Sequence, residues 1–169
     1  GRMLYNDYTV WQEESLAAGS FSDDFEFWKK ELDRLTPHRF AEASGEWGDY
    51  RGASVDTGID RKVMQQLERV CAESSSTIYD GIAAAVNVLM KYYFEDRHTA
   101  VGLGYAGRNL AAFENTIGCF AVSSMECTHT DSSMSFAELV SQTGRNIKES
   151  LAHSSLPFNV YAEKAGKGM

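Results

Sequence analysis

Three glycines, an arginine and an asparagine stand closest to chemistry in this sequence. Gly102, Gly104 and Gly107 match the spacing G-x-G-x-x-G, and Arg108 and Asn109 follow directly. A phosphate-binding turn of that kind needs a strand before it and a long helix opening at the third glycine, whose amides meet the pyrophosphate. Only the stretch from Arg108 to Thr116 is available before Gly118, room for about two helical turns. The motif also lies deep in the chain rather than opening a βαβ unit. The expectation is a strand entering a tight loop, its glycines serving close backbone approach.

Other chemistries find less support. No G-x-S-x-G elbow occurs, and no serine stands beside a histidine and a carboxylate in a catalytic pattern. His38, His98, His129 and His153 read as surface or satisfied loop residues rather than as general bases. Cys71, Cys119 and Cys127 are odd in number and lack a C-x-x-C pair. That suits reduced thiols in the cytoplasm better than a disulfide framework. A zinc site at Cys127-x-His129 has no second ligand pair at suitable spacing, so no metal is expected. A net charge of −8 opposes a nucleic-acid surface, which needs clustered lysine and arginine. No apolar run approaches the roughly 20 residues of a spanning helix, so no membrane partner is expected.

The elements that must position these residues read as α/β. A helix is expected from Tyr5 to Ala18, stopped by Gly19, and a second from Ser22 to Leu35 with Phe25, Trp28, Leu32 and Leu35 on one face. Residues 37–50 lack periodicity and read as a linker loop. Gly52 to Ile59 alternates as a strand would. Asp60 caps a helix to about Glu73, and Thr77 with Asp80 forms a capping box for a helix from Ile78 to Phe94. The apolar middle of that helix, Ile82 to Val86, places it centrally in the core. Strands follow at 99–103 and 120–128. A second capping box, Ser135 with Glu138, opens a helix to Ala152, and Pro157 begins a last one. The layered expectation is helices on a small mixed sheet.

Three ordered segments carry a resemblance. Tyr5-Asn6-Asp7-Tyr8-Thr9-Val10-Trp11 resembles a Y-x-D-[FY]-A-V-W motif, Ile117-Gly118-Cys119-Phe120-Ala121-Val122-Ser123 resembles [IV]-G-x-F-V-N-T, and His153-Ser154-Ser155-Leu156-Pro157-Phe158-Asn159 resembles [HN]-Q-D-x-P-F-E. Together with Trp28-Lys29-Lys30-Glu31-Leu32, Tyr50-Arg51-Gly52 and Ala106-Gly107-Arg108-Asn109, these are similar to the condensation domains of nonribosomal peptide synthetases. The resemblance implies a chloramphenicol-acetyltransferase-like α/β sandwich, one lobe of a two-lobe domain. It divides the chain into a helical segment at 1–36, the linker at 37–50 and a C-terminal lobe at 51–169. It also implies amide formation between a donor thioester and an acceptor amine. Both substrates ride on 4'-phosphopantetheine, which is carried by partner carrier proteins and not bound by this chain.

The family's H-H-x-x-x-D-G motif does not occur in these 169 residues. The expectation is therefore a C-terminal lobe without a catalytic residue of its own, inactive alone. Its partners would be the N-terminal lobe, donor and acceptor carrier proteins and neighbouring synthetase domains. Gly107, Arg108, Asn109, Gly118, Phe120, Val122 and Ser123 become candidates for a tunnel wall or loop. Tyr5, Asp7, Tyr8, Trp11, His153, Pro157 and Phe158 become structural motif residues. Two departures stand out. Val122 occupies the place of an asparagine whose amide could bond a substrate, and Ser154, Ser155 and Asn159 replace Gln, Asp and Glu. Arg108 is expected to bridge loop and helix, with a carboxylate or pantetheine phosphate as the alternative ligand. A related ester-forming or acetyltransferase-like lobe and a non-catalytic gatekeeping lobe remain as alternatives.

Overall fold

A computed structural model describes residues 3–36 and 52–164 of the chain. The elements run α1 (Tyr5–Ala17), α2 (Ser22–Asp33), α3 (Arg61–Glu73), α4 (Ile78–Phe94), β1 (His98–Tyr105), a 3-10 turn (Ala111–Phe113), β2 (Val122–His129), α5 (Phe136–Ala152) and α6 (Phe158–Lys164). The expected linker at 37–50 falls outside the described residues.

Local chemistry sets most of these boundaries. Asp60 accepts the Lys62 amide at 2.8 Å, satisfying one of the free N–H groups that open α3. At α4, Asp80 takes the Thr77 amide at 2.7 Å and Thr77 Oγ1 takes the Asp80 amide at 3.3 Å. Ser135 and Glu138 form the same reciprocal pair at α5. Gly19 ends α1 at φ +73°, a conformation that costs glycine little.

β1 and β2 form an antiparallel pair running from His98 opposite His129 to Tyr105 opposite Val122. Because side chains alternate across a strand, one face carries Ala100, Met125 and Cys127 and the other carries Val101, Leu103 and Glu126. The first face meets α2 and α6 in a core of Phe21, Trp28, Leu32, Met125, Leu156 and Tyr161. The second meets α4 and α5 through Ala83, Leu103 and Ile147. Behind it, α3 joins α4 and α5 around Cys71, Ala84, Leu139 and Val140. Gly81 lets α3 approach: a Cβ there would stand 2.5 Å from Cys71 Sγ.

Three expectations change. The strand proposed for 52–59 does not form. The segment is irregular and exposed, with Val55 at 91%, because among the described residues no strand lies beside it to accept its hydrogen bonds. Among the described residues the sheet is consequently a single antiparallel pair rather than mixed. Finally, α4 is not buried all round. Its small residues Gly81, Ala83 and Ala84, with Asp80 and Asn87, face inward, while Ile82, Leu89 and Tyr92 face out, Tyr92 at 85% exposure. Close helix packing recruits the small side chains, so apolar content overstated the burial.

Trp28 ties the two ends of the chain. Its indole is buried, stacks on Tyr161 at 4.9 Å, and donates Nε1 to the His153 carbonyl at 2.8 Å. Trp28→Ala is expected to cost about 3–5 kcal/mol. Trp28→Phe, which loses only part of the ring and one hydrogen bond, is expected to cost less. Urea unfolding followed by circular dichroism measures both.

Candidate functional site

The three motif segments meet at one place. Tyr8 and Trp11 from α1, Gly107 and Asn109 from the β1–β2 connection, Val122 at the head of β2, and Ser154 after α5 line one narrow cleft. The cleft encloses about 20 Å³, room for a single water. These residues thus bound a packed seam, not a cavity that would accept an amino acid.

Each side of the seam has its own cause. Tyr5 and Tyr8 lie on one face of α1 because they are three residues apart. The Tyr8 ring tilts onto Phe120 at 4.8 Å and meets Phe113 edge-on at 5.4 Å, and Tyr5 meets Phe120 edge-on at 5.1 Å. Tyr5 Oη donates to the Cys119 carbonyl at 2.8 Å. Burial raises the Tyr8 phenol above its ordinary pKa, with Tyr5 adding to the shift. Asp7 points elsewhere, accepting the Leu4 amide at 2.7 Å at the start of α1. Trp11 meets Phe21 edge-on at 6.0 Å and so ties α1 to the core under α2.

Arg108 holds the connection together. Nη1 donates to the carbonyls of Phe113 at 3.1 Å and Thr116 at 2.8 Å, Nη2 reaches the Gly118 carbonyl at 3.4 Å, and the guanidinium lies 4.4 Å over the Phe120 ring. The planar fork suits such divergent acceptors, and the ring face adds cation–π attraction. Arg108 therefore bridges the loop internally, and its nearest acceptors are carbonyls. Gly107 sits at φ +64°, and a Cβ there would fall 1.7 Å from the Phe120 carbonyl oxygen. A Cβ on Gly118 would fall 2.3 Å from the Tyr5 ring. Gly102 and Gly104 are ordinary strand residues with open space around them, so the three-glycine spacing builds no anion cradle.

The third segment is bound to the second by Asn109, whose Nδ2 donates to Ser154 Oγ at 3.0 Å while that hydroxyl donates to the Leu151 carbonyl at 2.7 Å. Val122 is half-buried beside them, and Ser123, paired with Gly104, is exposed. His153 is already engaged: Nδ1 lies 2.8 Å from Asp24 Oδ1 and the ring stacks on Phe27 at 4.1 Å. Pro157 immediately precedes α6, which Phe158 opens. Lys148 lies exposed on α5.

The residue that sequence reasoning passed over is Glu126. It is fully buried in β2, yet its carboxylate meets only neutral partners among the described residues: Asn87 Nδ2 at 2.7 Å, Asn146 Nδ2 at 3.2 Å and the Thr128 hydroxyl in a short contact. Asn87 in turn accepts from Thr99 Oγ1 at 2.7 Å. Burial pushes the Glu126 carboxyl above the ordinary glutamate range, against the opposing pull of those three hydrogen bonds. An acid inside the run Met125-Glu126-Cys127 was the one available signal.

The family model for the condensation domain matches residues 1–167. Tyrocidine synthase 3 of Brevibacillus parabrevis is 28% identical over 96% of this chain, which spans 3% of that protein's length. Among solved structures, the X-domain in its complex with OxyB from teicoplanin biosynthesis superposes with a TM-score of 0.84 at 21% identity, covering 97% of this chain and 38% of that one. The first condensation domain of the calcium-dependent antibiotic synthetase, with a substrate analogue, gives 0.76 at 18%, covering 98% and 37%. The chain belongs to the condensation-domain family.

Two outcomes test the site's construction. Gly107→Ala is expected to destabilise by more than about 1 kcal/mol, because the substitution combines positive φ with a backbone clash; chemical denaturation reads it. The raised carboxyl means that the native state holds the Glu126 proton more tightly than the unfolded chain. Its contribution to stability is therefore greatest below the unfolded glutamate value of about 4.3 and is lost as pH climbs through the raised folded value. Glu126→Gln should flatten that slope in thermal melts taken across the acid range.

Proposed function

We propose that this member of the condensation-domain family forms the C-terminal lobe of a nonribosomal peptide synthetase condensation domain in the cytoplasm. In this reading it supplies one wall of the substrate tunnel and part of a carrier-docking surface, while an N-terminal lobe brings the basic residue. The donor acyl or peptidyl thioester and the acceptor amine arrive on 4'-phosphopantetheine arms. The lobe's contribution to rate is then positional. Holding two tethered reactants end to end can supply about 7–11 kcal/mol of the barrier in favourable cases.

The observation that carries the reading is the convergence of Tyr8 and Trp11, Val122, and Ser154 on one seam. Segments more than a hundred residues apart share a surface, as they would if that surface faced a common substrate path. The seam holds room for one water, so a second wall is needed to make a tunnel. His153 is committed to Asp24 and Phe27, in keeping with a lobe that lacks its own general base.

Val122 favours a second reading, a non-catalytic gatekeeping lobe, because a valine cannot orient a substrate by hydrogen bonding. An ester-forming or acetyltransferase-like lobe is the remaining relative. Joining the chain to its upstream lobe and assaying amide formation with loaded carrier proteins separates these. Amide product supports the condensation reading, ester product alone supports the second enzymatic one, and no product with folded protein supports gatekeeping. In the active case Val122→Asn should change turnover with little effect on stability.

The chain without a partner lobe should self-associate. Leu89, Tyr92, Tyr93 and Ile117 are each more than half exposed, and apolar surface of this kind seeks cover. Light scattering that returns a clean monomer, with no apolar-dye binding, would count against the lobe reading.

A further inference from the structure

A second cleft opens at the far end of the sheet, where β1 begins and β2 ends. It encloses about 480 Å³ and is lined by α2, α5 and the two strand ends. His98 and His129 are directly opposite each other in the strand register. Their rings are 4.6 Å apart between centroids, and His98 Nε2 lies 3.2 Å from His129 Nδ1.

We propose that His98 and His129 form a cross-strand binding site for a divalent transition-metal ion of borderline softness, such as Zn²⁺, Ni²⁺ or Cu²⁺. Two imidazole nitrogens at this separation can both stand ~2.0–2.1 Å from one ion and subtend roughly 100° at it. That angle is close to what tetrahedral or square-planar coordination asks of neighbouring ligands. Imidazole is a ligand these three ions share. Moving each ring proton to its outer nitrogen turns both inner nitrogens into donors toward the metal.

The surroundings fit a cation. Glu31, Glu149 and Arg34 line the cleft, and Arg34 Nη1 already pairs with Glu31 at 2.8 Å, so the lining charge is net negative. Gln142 Nε2 donates to the His129 carbonyl at 3.0 Å, fixing the strand end that carries one ligand. Both histidines sit on paired strands, so binding orders little that is not already ordered. Among the described residues no three His, Cys, Asp or Glu side chains converge on one point. Water therefore completes the coordination sphere, and the cleft has space for it.

Sequence spacing could not show this pair. The ligands are 31 residues apart, and the Cys127-x-His129 pattern drew attention to the wrong neighbour. An ion here would clip the first residue of β1 to the last of β2, and by mass action would stabilise the folded chain.

The test uses the chain itself, stripped with a chelator and titrated separately with NiCl₂, ZnCl₂ and CuCl₂. Calorimetry and the visible copper band report binding, and thermal melts report folding. The expected result is one ion per chain, a melting midpoint that rises with added metal, and a band energy typical of nitrogen ligation. His98→Gln and His129→Gln should each weaken binding roughly tenfold or more while leaving the metal-free midpoint unchanged. No binding at millimolar metal, or binding in both single variants as tight as in the unaltered chain, overturns the proposal. If either single variant shifts the metal-free midpoint, His98→Asn and His129→Asn provide the second pair, read by the same titration.

Discussion

The β1–β2 connection depends on a single guanidinium. Between Gly107 and Phe120 the chain has only one short 3-10 turn. Arg108 collects three carbonyls there, of which Phe113 also takes the Thr116 amide, and lays its charge on the Phe120 ring. That placement sets the height of Phe120, and Phe120 in turn is the ring against which Tyr5 and Tyr8 are packed. The seat of α1 therefore follows from how one arginine satisfies a loop. Thr116 adds a direct tie, donating its hydroxyl to the Met3 carbonyl at 3.0 Å.

The face of the sheet under α2 and α6 is organised by apolar contact. Trp28 and Tyr161 stack across α2 and α6, and Met125 reaches them from β2. The two faces of one strand thus serve different physics. Met125 enters an aromatic core, and its neighbour Glu126 enters a polar network beneath α4 and α5. A buried carboxylate among neutral donors is costly to form, and in β2 it also fixes which face is which, since a one-residue slip would exchange the two.

Much of this was legible in the sequence. The capping boxes at Thr77 and Ser135 gave both helix starts correctly, because those signals are local and carry their own hydrogen bonds. The strands were found within three residues at either end, and the α/β class with helices on a small sheet follows from them. Residues 52–59 misled because alternation describes a strand's faces and says nothing about whether a neighbour is there to pair. α4 misled because composition does not tell which of two apolar faces is covered. The meeting of Tyr8, Val122 and Ser154 was foreshadowed by ordered motifs, whereas the internal use of Arg108 required knowing where three carbonyls point. Glu126 stayed hidden because a single acid in an apolar strand has no period.

The bonds from Tyr5 to Cys119 and from Thr116 to Met3 join positions 114 and 113 residues apart. On a ribosome the order of synthesis then matters. α1 is made before the segment it packs on, yet its Tyr5 and Tyr8 rings cannot reach Phe120 until the chain has grown past that residue. At about 5–20 residues per second that delay is roughly 6–23 s. Throughout it Tyr5 and Tyr8 are presented to whatever else is near, and that face of α1 can dock only as a late closing step of the fold. Of the elements described, the first to be made is among the last to find its full seat.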